Sequence, residues 1–235
     1  MTDTSFKARA GATLQHPIDA DTYKWVDLDR KAIAHRYDRL AKFIPMFDWL
    51  FFQPPSFRAK AAARLGLKPG DRVLEIGCGT GRNLTHLRRA VGPEGHVIGV
   101  DLSPGMLSKA HALCGRNTWD NVQLVECDAV EYSAHGPLDG VMFGLSYNTI
   151  PHHLHVLHRA WSQLRPGGRL VIMDAKLPPG LGGQLVLPFG LWLMKNTMLG
   201  NPLVQPWEDL RQLAGTCDME EFMFGSWYIA CATKP

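Results

Sequence analysis

What the sequence lacks narrows its class before any motif is read. It has no run of about 18 uninterrupted apolar residues, so no transmembrane helix is expected. The opening stretch, Met1 to Ala10, is polar and has no apolar segment of the kind a secretory signal needs, so a cytoplasmic location is expected. Cysteine is sparse: Cys78, Cys114, Cys127, Cys217 and Cys231 are scattered and never form a CxxC pair. That usage suits free thiols in a reducing compartment and offers no structural zinc site. There is no lysine and arginine stripe, so no nucleic-acid partner is expected. Internal repeats and low-complexity tracts are absent as well.

What is there is an ordinary globular balance: 235 residues, 46% apolar and 20% charged. A chain of this length can bury roughly 70–75% of its unfolded surface, ample for a core. The net charge of +3 is uneven, because residues 1–64 hold 11 Lys/Arg against 7 Asp/Glu, a local +4. Such a segment is either a solvated helix face or a surface for an anionic membrane or acidic substrate.

Residues 1–27 show little periodicity and read as an arm. From Asp29 to about Ile44, the residues Ile33, Tyr37, Leu40 and Ile44 recur on one helical face. An aromatic cluster follows: Phe47, Trp49, Phe51 and Phe52. After Pro54-Pro55, Ser56 is placed to cap a helix whose Phe57, Ala61 and Leu65 share a face and which Gly66 ends. Residues 1–64 are expected to form an arm and helical cap, and 65–235 the main domain.

The period then changes. Short apolar strands are predicted at Arg72–Ile76, His96–Val100, Asn121–Cys127, Gly140–Leu145 and Arg169–Met173. Helices are predicted at Thr80–Ala90, from Ser103-Pro104, and at Pro151–Leu164, with Pro166-Gly167-Gly168 as a turn. Strands alternating with helices predict a doubly wound, mainly parallel α/β sheet. Met219–Met223 and Trp227–Ala232, separated by Phe224-Gly225-Ser226, predict a hairpin that brings an antiparallel strand into it.

The chemistry-bearing residues sit where these strands end. Glu75-Ile76-Gly77-Cys78-Gly79-Thr80-Gly81 follows the first strand and opens a helix, so its backbone can approach a ligand closely and present N–H donors. The spacing is GxGxG, and Arg82 stands where a dinucleotide fingerprint has its last glycine. Asp101 ends the second strand, twenty residues after Gly81, where a carboxylate can accept both hydroxyls of a ribose. Asp128-Ala129 ends the third, where a second carboxylate can read an adenine amino group. Loop and acids together outline the crevice of an open α/β sheet.

These motifs resemble those of the class I S-adenosylmethionine-dependent methyltransferases. Glu75 to Gly81 resembles their first motif, Val100-Asp101-Leu102-Ser103 the ribose loop, Asp128-Ala129 the adenine contact, and Leu164-Arg165-Pro166-Gly167-Gly168 the turn before strand five. The resemblance covers about residues 65–233 and implies a seven-stranded, Rossmann-like methyltransferase fold. It implies S-adenosylmethionine as cofactor, held by Glu75, Gly77, Cys78, Gly79, Gly81, Asn83, Asp101, Leu102, Met106, Asp128, Ala129 and Leu145. Within the family, Leu107-Ser108 and the ending Trp227 to Ala232 are similar to the ubiquinone/menaquinone C-methyltransferases and the bacterial phospholipid N-methyltransferases. The chain departs from the quinone branch: Tyr37-Asp38 is followed by Arg39-Leu40-Ala41-Lys42, and Asp174-Ala175-Lys176 replaces a Glu-x-Ser.

Methyl transfer from a sulfonium asks the protein mainly to position the nucleophile and orient the cofactor. Glu75 is placed to oppose the cofactor's positive methionine end. On the acceptor side the candidates are Leu145-Ser146-Tyr147-Asn148, after strand four, with Tyr37 as a lid and His152 or His153 as a general base. His152, His153, His155 and His158 share one helix, but no cysteine or carboxylate converges on them, so no metal is expected. Lys176 to Pro206 carries only two charges in 31 residues and, with the aromatic cluster, suits a hydrophobic or lipid-like acceptor. A phospholipid amine ranks ahead of a quinone, with peripheral contact at the inner membrane face. The alternatives are a soluble small-molecule acceptor, aminocarboxypropyl transfer, or cofactor binding without catalysis.

Overall fold

A computed structural model describes residues 56–150, 152–177 and 204–235, with His35, Tyr37, Asp38, Pro54, Gly180, Leu185 and Pro188. The aromatic cluster Phe47 to Phe52 and most of Lys176 to Pro206 lie outside the described residues.

The elements in chain order are α1 (Phe57–Arg64), β1 (Arg72–Ile76), α2 (Leu84–Val91), β2 (His96–Asp101), α3 (Pro104–Arg116), β3 (Val122–Glu126) and β4 (Leu138–Gly144). A 3-10 turn (Tyr147–Thr149) follows, then α4 (His153–Gln163), β5 (Leu164–Ala175), α5 (Pro206–Ala214), β6 (Asp218–Phe222) and β7 (Trp227–Thr233). The seven strands form one sheet in the order β3-β2-β1-β4-β5-β7-β6. The first five strands pair in parallel, and β7 runs antiparallel to both β5 and β6. That is the predicted doubly wound sheet with its antiparallel strand. Helices on both faces leave the inner strands dry, which is why β1, β2 and β4 read as continuous apolar runs.

Each face of the sheet has its own core. One holds Val73, Leu84, Leu87, Val97, Leu107, Met142, Val171 and Met173, together with Phe57, Ala61 and Leu65 of the α1 region. Counted from sequence with the N-terminal cap, α1 thus packs as part of the main core. The ring of Phe57 lies edge-on to Phe222 and Trp227, at 5.4 and 5.3 Å between centroids. The other face packs Leu74, Ile98, Phe143, Tyr147, Leu157, Ile172 and Tyr228. Lys234, just past β7, donates from Nζ to the carbonyls of Trp161, Ser162 and Leu164 at 2.9, 3.0 and 2.6 Å, closing the open end of α4.

Several boundaries differ from the predicted ones for local reasons. Helix α2 begins at Leu84 rather than Thr80, because Gly81 takes φ 83, outside the helical region. Helix α4 begins at His153, because His152 is left-handed at φ 57. Ser56 is also left-handed and makes no side-chain cap, so the predicted capping role is not filled. Strand β5 takes in the Pro166-Gly167-Gly168 turn, since Leu164 already pairs with Leu138 before the register shifts to Arg169 opposite Gly140. Helix α5 went unpredicted, although Pro206 in its first turn followed by Glu208 and Asp209 is a helix-start signal. No helix among the described residues is long and apolar enough to cross a membrane.

Candidate functional site

The glycine loop is built from both ends. Gly77 and Cys78 donate their N–H groups to Val100 O at 2.8 and 3.0 Å, tying the end of β1 to the end of β2. Gly77 has φ 70, and a Cβ there would lie 2.9 Å from Ser146 Oγ and closer to Ser146 Cβ. Ser146 in turn donates to Ile76 O at 2.6 Å, so the loop after β4 presses directly on this glycine. Gly79 (φ 55) differs: a Cβ there would meet nothing within 4 Å, so its open side faces the crevice.

Asp101 clamps that loop. Its Oδ2 accepts the Gly79 N–H at 2.7 Å and its Oδ1 the Ser103 N–H at 2.9 Å. Burial pushes its carboxyl above the usual range, against the lowering effect of those amides. An ionised carboxylate has about four acceptor positions, so each oxygen keeps capacity for a hydroxyl donor. Ser103 also caps α3 by accepting the Met106 N–H at 3.0 Å.

Glu75 is fully buried at the end of β1. Its Oε1 accepts from Asn83 Nδ2 at 2.5 Å, and Asn83 Oδ1 accepts from Arg58 at 2.8 Å. Its Oε2 is buried with no partner among the described residues. Desolvation raises this carboxyl to about 8, with the Asn83 bond and the Arg58 charge pulling the other way. Gly144 of β4 leaves the room, for a Cβ there would sit 3.1 Å from Glu75 Oε1 and closer to Asn83 Nδ2. A buried acid with an unpaired oxygen is suited to a cationic ligand.

The remaining candidates separate into two groups. Tyr37 is brought to the site: its hydroxyl hydrogen-bonds with Thr149 and feels the charges of Asp101 and Asp174, and burial raises its pKa. Next to it, Asp38 accepts from Ser103 Oγ and from the Gly105 N–H at 3.0 Å, at the N-terminal end of α3 where an acid is favoured. Cys78 and Met106 are buried beside the loop, with burial pushing the Cys78 thiol up. Leu145 holds a left-handed φ of 60 and donates its N–H to Met173 O at 2.9 Å. Asp128 Oδ1 accepts from Val130 N–H at 2.8 Å, fixing the end of β3, while Leu102 and Ala129 are half-buried.

Tyr147 is placed differently. It is fully buried, edge-on to Phe143 and His153, and its hydroxyl donates to Asp209 of α5 at 3.1 Å. It is part of the packing between α4, α5 and the sheet. His152 is exposed at the start of α4, and His153 stands 3.8 Å from Asp209. Among the described residues no three His, Cys, Asp or Glu side chains gather for a metal.

Sequence reasoning missed Arg58, named Asn148 only within the stretch Leu145 to Asn148, and met Asp174 only as a departure from the quinone branch. Asp174 had a usable signal, being an acid at the carboxyl end of an inner strand like Asp101. Arg58 had none, because only the fold brings α1 over Glu75.

Comparisons with known proteins agree with this geometry. Residues 73–168 match the family model described as a methyltransferase domain. The demethylmenaquinone methyltransferase of Lactococcus lactis subsp. lactis is 32% identical over 148 residues, 63% of this chain and 57% of that protein. The Staphylococcus aureus protein of the same description is 32% identical over 147 residues, 62% and 58% of the two chains. The chain thus spans less than two thirds of the length of these relatives. Among solved structures, a Haemonchus contortus phosphoethanolamine N-methyltransferase 2, bound to phosphomonomethylethanolamine and S-adenosylhomocysteine, has a TM-score of 0.71 at 20% identity. It covers 88% of this chain and 60% of its own. A S-adenosylmethionine-dependent methyltransferase from Aquifex aeolicus has a TM-score of 0.57 at 17% identity, covering 89% and 100%. Both share the fold.

Proposed function

We propose that this chain, whose residues 73–168 match a methyltransferase-domain model, is a class I S-adenosylmethionine-dependent methyltransferase that transfers a methyl group to a hydrophobic, lipid-like amine. The observation that carries the cofactor reading is the pairing of Glu75 with the Gly79–Asp101 clamp. The unpaired Oε2 of Glu75 suits the positive methionine end of S-adenosylmethionine, the spare acceptor capacity of Asp101 suits a ribose diol, and the open side of Gly79 admits close approach. When bound, the cofactor supplies an activated methyl group on a cationic sulfur. The protein's share is placement: Asp101 and the loop amides fix the nucleoside end, Asp128 stands at the adenine side, and Glu75 with Asn83 and Arg58 holds the other end. The loop after β4, with Thr149 and Tyr37, faces the acceptor and restricts water.

The lipid-like acceptor is supported by the weakly charged segment Lys176 to Pro206 and the aromatic run Phe47 to Phe52, together with the basic balance of residues 1–64. We place the working protein in the cytoplasm, in peripheral contact with an anionic membrane face. A second reading, a quinol acceptor, is favoured by the demethylmenaquinone methyltransferases at 32% identity. Mass spectrometry of lipid and metabolite extracts, from cells with and without the protein, tests both. New N-methylated phospholipids support the first reading, and methylated quinones replace it with the second. In the purified reaction, S-adenosylhomocysteine is the expected by-product, whereas methylthioadenosine would mean aminocarboxypropyl transfer.

A further inference from the structure

Strand β5 carries a second unpaired acid to the carboxyl edge of the sheet. Asp174 stands opposite Tyr228 of β7 and is only 9% exposed. Its Oδ1 accepts the Ala175 N–H at 2.8 Å and the backbone N–H of Asn148 also favours the carboxylate, yet Oδ2 is buried with no partner among the described residues. The groups facing it are hydroxyls. Tyr228 Oη is buried with no hydrogen-bond partner among the described residues, and the Tyr37 hydroxyl feels the charges of both Asp174 and Asp101. The cation just past the end of β5, Lys176, is bound to Glu221 and lies over the Trp207 ring at 4.8 Å. Burial raises the Asp174 carboxyl to about 7, against the backbone N–H groups of Ala175 and Asn148, which favour its ionised form. A buried carboxylate oxygen that faces two hydroxyls and lacks a positive partner is incomplete without a ligand that brings one.

On the methyl-transfer reading above, we infer that Asp174 receives the protonated amine of the acceptor and removes its proton for methylation. The ammonium gives one N–H proton to Asp174 Oδ2. The freed nitrogen lone pair then forms the bond to the methyl carbon, and the electron pair of the broken carbon–sulfur bond stays on sulfur. Asp174 afterwards returns the proton to water. Tyr37, hydrogen-bonded to Thr149, positions the nitrogen beside Asp174. A neutral quinol hydroxyl would leave the carboxylate without its counter-charge, so the site selects a cation.

The test compares wild type, Asp174→Asn and Asp174→Glu, with phosphatidylethanolamine vesicles as the amine probe and demethylmenaquinol as the neutral one. S-adenosylhomocysteine binding by calorimetry is the readout independent of turnover. Wild type should methylate phosphatidylethanolamine with an acidic limb near pH 7 in kcat, measured at saturating S-adenosylmethionine so that Glu75 does not contribute it. Asp174→Asn should bind S-adenosylhomocysteine as wild type does, lose roughly 100-fold or more in kcat and lose the limb. Asp174→Glu should recover part of the rate with a limb present. Wild-type turnover in Asp174→Asn, or methylation of demethylmenaquinol but not of the amine, overturns the inference and leaves methyl transfer standing. If wild type binds no S-adenosylhomocysteine, the methyltransferase reading itself fails. Should Asp174→Asn not fold, the wild-type profile decides: an acidic limb near pH 7 supports the inference, and a flat one overturns it.

Discussion

Asp101 Oδ2 accepts the backbone N–H of Gly79 at 2.7 Å, so the acid that ends β2 holds the middle of the glycine loop that follows β1. One side chain therefore shapes the loop and presents its remaining acceptor positions to the crevice. Asp101→Ala should weaken S-adenosylmethionine binding by about 1.5–3 kcal/mol, the scale of hydrogen bonds to a charged group. Calorimetry on the folded variant checks this, and unchanged affinity would remove Asp101 from the site.

Two glycines of the same loop should behave differently. At Gly77 both the positive φ and the contact with Ser146 oppose a side chain, whereas at Gly79 only the φ does. Gly77→Ala should cost about 2–4 kcal/mol in urea unfolding, and Gly79→Ala about 1 kcal/mol. Gly79→Ala should nevertheless lose cofactor affinity, because its new methyl enters the open side. Equal unfolding costs would mean that Ser146 yields easily.

The buried acids set a pH dependence with a definite sign. Glu75 rises from 4.5 to about 8 and Asp174 from 3.8 to about 7, both through desolvation. Each binds its proton more tightly in the folded chain than in the unfolded one. Their contribution to stability is full below about pH 4 and is lost as pH rises through 7 to 8. The ligand-free protein should therefore unfold more readily at pH 8.5 than at pH 6, and Glu75→Gln should flatten that slope. Cofactor binding near pH 7 should release protons, because a cation beside Glu75 favours its ionised form. Titration calorimetry in two buffers of different ionisation enthalpy reads this release, and proton uptake would contradict the assignment.

Tyr147 and Tyr37 should separate by phenotype. Tyr147→Phe removes a hydroxyl bound to Asp209, so it should lower stability by about 1 kcal/mol and leave cofactor affinity alone. Tyr37→Phe should leave stability within about 1 kcal/mol and lower methyl transfer. Thermal melts beside a turnover assay distinguish the two, and a reversed pattern would exchange their roles.

Membrane contact has its own expectation. The protein should co-sediment with anionic vesicles at low salt and partly release as salt rises, each basic residue near the surface contributing about 1 kcal/mol. Replacing Phe51 and Phe52 with Ser should weaken binding more than deleting residues 1–27, which supply few apolar anchors. Indifference to vesicles at low salt would favour a soluble acceptor.

The sheet was legible in the sequence because its signals are local. Buried strands such as Val97 to Val100 are apolar runs, Ser103-Pro104 is a helix start, and the turn Phe224-Gly225-Ser226 separates the last two strands. Glu75, Asp101 and Asp128 were legible for the same reason, each being an acid where a strand stops. Contacts between distant segments were not. Nothing in the spacing of Tyr147 says that its hydroxyl meets Asp209, 62 residues later. Arg58 reaches Asn83 and through it Glu75 only because α1 folds over the loop. The left-handed Leu145 and His152 are likewise set by packing, since neither residue type favours that backbone.

The place of β7 between β5 and β6, with Lys234 closing α4, bears on how the molecule is made. Strand β5 pairs with β7 along seven residues, from Arg169 opposite Thr233 to Ala175 opposite Trp227. A growing polypeptide thus carries the glycine loop, Asp101, Asp128 and Asp174 out of the ribosome before β7, the antiparallel partner of β5, exists. Until residues 227–234 emerge, β5 is an open edge able to pair with another chain. Crowded polysomes are where this protein is most exposed to misassembly, and a chaperone that shields a strand edge would act there.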